Sequence, residues 1–115
     1  VKIIKFEDII VWQKSKELIL DCYKNLESSR DFSFRDQIQR AAVSIMNNIA
    51  EGYERMGNKE FKKFLYIAKG SCGEVRSMLY LALELKYIDN IKFENLFDKT
   101  IEISKMLSGL IKTLS

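Results

Sequence analysis

The chain has no histidine and no proline, and its 115 residues include only two cysteines and five glycines. Each shortage excludes something. Without histidine the chain lacks the commonest general base and the commonest metal ligand at once. Without proline it lacks the strongest helix breaker, so long helices can run uninterrupted. Cys22 and Cys72 are too few for a disulfide framework. Each falls on the apolar stripe of an expected helix, where a thiol behaves as a small buried hydrophobe in a reducing cytoplasm. No run approaches the ~20 consecutive apolar residues of a membrane span, and no secretion leader is visible. The first residue is Val1 rather than Met, which points to a processed or trimmed start.

Apolar residues make up 47% and charged residues 30%, a globular proportion. The length suits one domain over residues 1–115. The net charge of +3 permits contact with nucleic acid without arguing for it.

Hydrophobic periodicity predicts four helices. The first runs from about Glu7 to Ser28, with Val11, Ser15, Leu18, Cys22 and Leu26 on one face, Trp12, Ile19 and Tyr23 beside it, and Ile9 and Leu20 further round. After a linker of residues 29–33, with Ser33 and Asp36 in a weak capping arrangement, the second helix reaches about Arg55 or Met56. Its stripe is Phe34, Ile38, Ala41, Ile45, Ile49 and Gly52, and its small residues invite close approach by a neighbour. Gly57 is expected to take the left-handed turn and Asn58 to cap the third helix, Lys59 to about Lys86. Phe61, Leu65, Ala68, Cys72, Val75, Leu79 and Ala82 form its stripe. Asp89 or Asn90 caps a fourth helix, which ends near Leu114. Short connections force antiparallel neighbours, so the expected fold is all-α, an up-and-down antiparallel four-helix bundle.

The third helix carries a second apolar strip of Phe64, Ile67, Met78, Leu81 and Leu85, widening its apolar arc to roughly 160° at ~100° per residue. The first helix shows a similar excess at Trp12, Leu20 and Ile9. Soluble monomers avoid large apolar patches, so a homo-oligomer is expected, with Trp12, Phe64, Ile67, Met78 and Leu81 at its interface.

No catalytic, metal or cofactor motif is present. There is no paired Cys motif, no Glu-x-x-His, no Walker loop and no dinucleotide-binding glycine pattern. Residues 69–73, Lys-Gly-Ser-Cys-Gly, resemble a phosphate loop only superficially, because the helical period continues through them. Two glycines inside a helix cost ~1 kcal/mol each, and close helix contact is the expected offset. No enzyme activity, cofactor or small-molecule substrate is expected.

One face stands out. Lys59, Lys62, Tyr66, Lys69, Gly73, Arg76 and Tyr80 recur at three and four, about a quarter turn from the core stripe, with Arg55 and Lys63 near its start. Cations interleaved with tyrosines could follow a phosphate backbone and stack on bases. The candidate nucleic-acid residues are therefore Arg55, Lys59, Lys62, Lys63, Lys69 and Arg76. The plainer alternative is a solvated flank that keeps the bundle soluble.

Two segments resemble a known family. The first is residues 40–45 (Arg-Ala-Ala-Val-Ser-Ile) leading to 48–53 (Asn-Ile-Ala-Glu-Gly-Tyr) and Arg55; the second is Glu60-Phe61, then 64–71 with Gly70-Ser71, then Glu74. Residues 6–14 and 85–88 match as well. The chain is similar to the bacterial four-helix bundle proteins also called 23S rRNA-intervening sequence proteins, and is related to the accessory variability determinant of diversity-generating retroelements. The resemblance implies an up-and-down bundle, a homo-oligomer with a pentameric ring among relatives, no enzyme activity, and nucleic-acid binding in the retroelement group. It marks Arg40, Asn48, Glu51, Gly52, Tyr53, Gly70 and Ser71 as hallmarks. Met46 stands where the family has proline, which should soften a kink in the second helix. Arg35 replaces a Thr or Ser, so capping should shift to Ser33 or Asp36.

The leading expectation is a cytoplasmic, self-associating bundle that binds RNA or DNA by phosphate contacts. The rival is a structural or adaptor module built for self-assembly and a protein partner.

Overall fold

The computed structural model describes residues 3–114; the trimmed start expected at Val1 lies outside them. The described residues form a 3-10 turn, Phe6–Asp8, and four α-helices: α1 (Ile10–Leu26), α2 (Phe32–Glu54), α3 (Asn58–Glu84) and α4 (Asn90–Lys112), with no strand. Each helix packs on its neighbours in sequence and α1 closes on α4, whereas the diagonal pairs do not approach. This is the up-and-down four-helix bundle. The 27 residues of α3 span ~40 Å at ~1.5 Å each and set the long dimension of 42 Å.

The core is the set of stripes read from the periodicity. Leu18 and Cys22 on α1, Ile38, Ile45 and Ile49 on α2, Leu65, Val75 and Leu79 on α3, and Leu96, Ile103 and Leu107 on α4 are all sealed from solvent. Burying each large aliphatic side chain contributes ~1.5–3 kcal/mol. The buried polar groups are satisfied within their own helices: Ser15 Oγ donates to the Val11 carbonyl at 2.7 Å and Thr100 Oγ1 to that of Phe97 at 2.6 Å. Lys99 on α4 pairs with Asp21 on α1 across the closing seam.

The helix ends differ from the expectation in ways that physics explains. The first helix does not start at Glu7. A 3-10 turn there is followed by extended Ile9 (φ −76°, ψ 118°), and α1 begins at Ile10. That break turns Ile9 inward, where it is buried. The α2 cap is Asp31, upstream of the expected Ser33 or Asp36; its Oδ1 accepts from the Phe34 amide at 3.1 Å. Arg35 bridges the loop by donating to the carbonyls of Glu27 (3.4 Å) and Ser29 (3.2 Å). α2 runs unbroken through Met46, as a residue that keeps its backbone donor allows. The left-handed turn after α2 falls on Met56 (φ 60°), and Gly57, extended at φ −145°, precedes α3 as its cap with Asn58 already helical. α3 stops at Glu84 with Lys86 left-handed (φ 61°). The amides of Tyr87 and Lys86 return to the carbonyls of Ala82 (2.9 Å) and Leu83 (3.0 Å), the paired bonds of a Schellman ending. Asp89 caps α4, accepting from the Lys92 amide at 2.8 Å.

Candidate nucleic-acid interface

The expected binding residues lie on α3, and the register of α3 against α4 places them. Cys72 Sγ donates to the Thr100 carbonyl at 3.2 Å, and the Tyr80 ring sits 5.4 Å from both Phe93 and Phe97. Rising numbers on α3 therefore run against falling numbers on α4. Lys62, Lys69, Arg76 and Tyr80 share the side of α3 that leans towards α4, and the three cations are half-buried along their stems. Lys59, Lys63 and Tyr66 lie further out and are exposed. The same register brings the exposed Lys105 of α4 level with Lys69. Sequence reasoning missed Lys105 because the pairing of helices is not a local property.

The cations divide into two groups. Arg55 is engaged inside the protomer: its guanidinium lies 2.9 Å from Glu51 and 3.7 Å from Glu60, over the Phe64 ring at 5.1 Å. Among the described residues, Lys59, Lys62, Lys63, Lys69 and Arg76 have no carboxylate within ion-pair distance. Tyr66 and Tyr80 stay open to solvent at 57% and 54% of their surface.

The hallmark residues gather mostly on the opposite flank, where α3 meets α2. Ser44 and Ser71 share a hydrogen bond of 2.9 Å, and Asn48 Nδ2 donates to the Ser44 carbonyl (2.8 Å) and hydroxyl (2.9 Å). Gly52 is a point of close approach, since a Cβ there would stand 2.6 Å from Phe64 Cβ. The close contact expected at Gly70 and Gly73 is found here instead: nothing lies within 4 Å of a Cβ on Gly70, and only Arg76 Nη2, at 3.9 Å, approaches one on Gly73. Tyr53 donates to the Ile3 carbonyl at 3.1 Å and meets Phe61 edge-on, tying down the N-terminal arm. Arg40 is exposed beside a polar groove of about 620 Å³ lined by Tyr23, Asp36, Gln39, Asn47 and Asn48.

The expected self-association residues also divide. Trp12 packs edge-on against Phe6 at 5.3 Å, and Phe64 and Met78 are half-buried against the protomer. Ile67 and Leu81, joined by Leu85, remain 43–48% exposed beside the bare Gly70.

Burial pushes the Cys22 thiol up to about 12 and the Cys72 thiol to about 11, the latter despite the opposing pull of Arg76. Neither is a nucleophile at neutral pH. Among the described residues, no group of Cys, Asp and Glu side chains is placed to hold a metal ion, and no helix is long and apolar enough to cross a membrane.

The architecture has a counterpart among solved structures. The solved structure of a protein of unknown function from the S23 ribosomal protein family of Bacteroides thetaiotaomicron superposes with a TM-score of 0.82 at 31% identity, covering 89% of this chain and 98% of that one. No curated protein matches the chain. A family model described as 23S rRNA-intervening sequence protein matches residues 7–109. The chain thus belongs to the 23S rRNA-intervening sequence protein family.

Proposed function

We propose that this chain is a non-catalytic, self-associating helical bundle of the cytoplasm that holds nucleic acid by its phosphates along the outer flank of α3. One observation carries the proposal: Lys62, Lys69 and Arg76 recur on one side of α3 and, like Lys59 and Lys63 of the same helix, have no carboxylate within ion-pair distance among the described residues. A strip of unneutralised charge is what a polyanion requires, and counterion release supplies the affinity. The buried thiols suit a reducing compartment.

Self-association is read from Ile67, Leu81 and Leu85, an apolar strip next to a glycine with open space above it. The family resemblance favours a pentameric ring, which would repeat the cationic flank around its circumference. The likeness to the accessory determinant of diversity-generating retroelements supports the same reading. A sedimentation experiment tests the assembly, and a stable monomer at micromolar concentration would overturn it.

Binding is tested with labelled RNA and DNA fragments at low salt. Contacts to three phosphates, from Lys62, Lys69 and Arg76, give a slope of log K against log salt of roughly −2 to −3, at ~0.7–0.9 per phosphate. Charge reversal at Lys62 and Lys69 should abolish binding. A protein that shifts neither fragment at low salt is no nucleic-acid binder, and the strip would then serve a protein partner, as an adaptor requires.

A further inference from the structure

The geometry points to a single strand, not a duplex, as the occupant of the α3 flank, with Tyr66 and Tyr80 stacking on bases, Lys69 and Arg76 holding the phosphates between them and Lys62 the phosphate beyond Tyr66. This rests on the phosphate-binding role proposed above and narrows it. Two large rings stand more than half open to water, Tyr66 at 57% and Tyr80 at 54%. Tyr66 has no aromatic partner among the described residues. Tyr80 has two: Phe93 and Phe97 stack on each other at 5.3 Å and 28°, and Tyr80 rests on the pair without being covered by it. A ring fixed in place by neighbours loses little freedom when a base lies on it.

The order along the helix is cation, tyrosine, cation, cation, tyrosine, at residues 62, 66, 69, 76 and 80. Tyr66 and Tyr80 stand about 21 Å apart at ~1.5 Å per residue. Between them Gly73 carries no side chain, and the Arg76 guanidinium reaches over it, its Nη2 3.9 Å from where a Cβ would stand. In a duplex each base is already stacked on both faces and offers only its edges in the grooves. A single strand offers open π-faces together with the same phosphates, and stacking on aromatic side chains is how such strands are held without sequence preference.

The test uses the full chain and four fluorescent probes of equal phosphate number: oligo-uridylate, oligo-deoxythymidylate, a DNA duplex and an abasic strand. Anisotropy titration should show both single strands binding about five-fold or more tightly than the duplex and the abasic strand. Tyr66→Leu, which removes no packed ring, should weaken single-strand binding about five-fold or more and leave the abasic strand unaffected. Tyr80→Leu should do the same, and Tyr80→Phe should retain wild-type affinity. Equal affinity for duplex and single strand, or an unaltered Tyr66→Leu variant, would overturn the single-strand assignment while leaving phosphate binding intact. Failure of all four probes to bind would overturn both.

Discussion

The two flanks of α3 are put to opposite use. Where α3 meets α2 the polar and small residues are engaged within the protomer: Gly52 admits Phe64, Ser71 bonds Ser44, and Arg55 lies between Glu51 and Glu60. Towards α4 the surface is left open, with unpaired cations and two solvent-facing tyrosines. The difference teaches that a hallmark residue and a residue left open to solvent need not be the same. Asn48, Gly52, Tyr53 and Ser71 are accounted for by contacts within the protomer, whereas Lys62, Lys69 and Arg76 are not.

The contrast breaks most easily at the glycines. Gly52→Ala places a Cβ 2.6 Å from Phe64 Cβ and 3.1 Å from Phe61 Cδ1, so the two helices must part. Overpacking of this kind costs about 1–3 kcal/mol, read by chemical denaturation. Gly73→Ala meets only the mobile end of Arg76 at 3.9 Å and should stabilise by about 0.5–1 kcal/mol through helix propensity. Equal costs at the two positions would show that the flanks are equally packed.

Thiol reactivity asks how deep the openness goes. Cys72 lies directly beneath the cationic flank, yet burial holds its thiol at about 11 and that of Cys22 at about 12. Both should resist a thiol reagent at pH 8 in the folded protein and react at once when it is unfolded. Rapid labelling of Cys72 alone would mean that the α4 side opens to its core.

Comparing Arg55→Ala with Lys69→Ala separates a structural cation from a free one. Two half-exposed ion pairs at Arg55 are together worth up to about 1 kcal/mol, weakened by salt. Lys69→Ala should change stability by no more than about 0.5 kcal/mol while reducing nucleic-acid binding.

The smallest effect lies at the far end of the α2 side, where Tyr87 donates to Asp31 Oδ2 at 2.6 Å. The Tyr87 hydroxyl, with the Phe34 amide, holds the Asp31 carboxyl below the usual carboxylate range, and the bond to Asp31 raises the Tyr87 phenol. A depressed carboxyl stabilises the fold above its unfolded value of about 3.9 and loses that contribution as pH falls through the lower folded value. A raised phenol contributes fully below its unfolded value of about 10 and loses it as pH rises through the higher folded one. Tyr87→Phe should flatten both limbs of the stability–pH curve, and unchanged limbs would show that the bond does not form in solution.

Most of the fold was legible because burial of one helix face is a local, periodic property. Phe61, Leu65, Ala68, Cys72, Val75, Leu79 and Ala82 are all buried, as their spacing requires. The candidate face was legible for the same reason, since residues 62, 66, 69, 76 and 80 share a side of any helix. The level of Lys105 beside Lys69 was not, because it follows only from the pairing of α4 with α3. Which apolar residues stay free was also illegible: Phe64 and Ile67 belong to the same strip, but only Phe64 finds a glycine opposite it.

The order of apolar and polar residues alone determined four helices, their faces and their antiparallel sequence, because each follows from the 3.6-residue turn and short connections. Tertiary structure decided what no local rule could. It put the left-handed turn on Met56 rather than Gly57, chose Gly52 over Gly70 for the close contact, and neutralised Arg55 while leaving Lys69 free. The reason is physical: a chain direction, a helix separation and an ion pair each depend on atoms brought together from distant positions, and their free energies exist only once the bundle has closed.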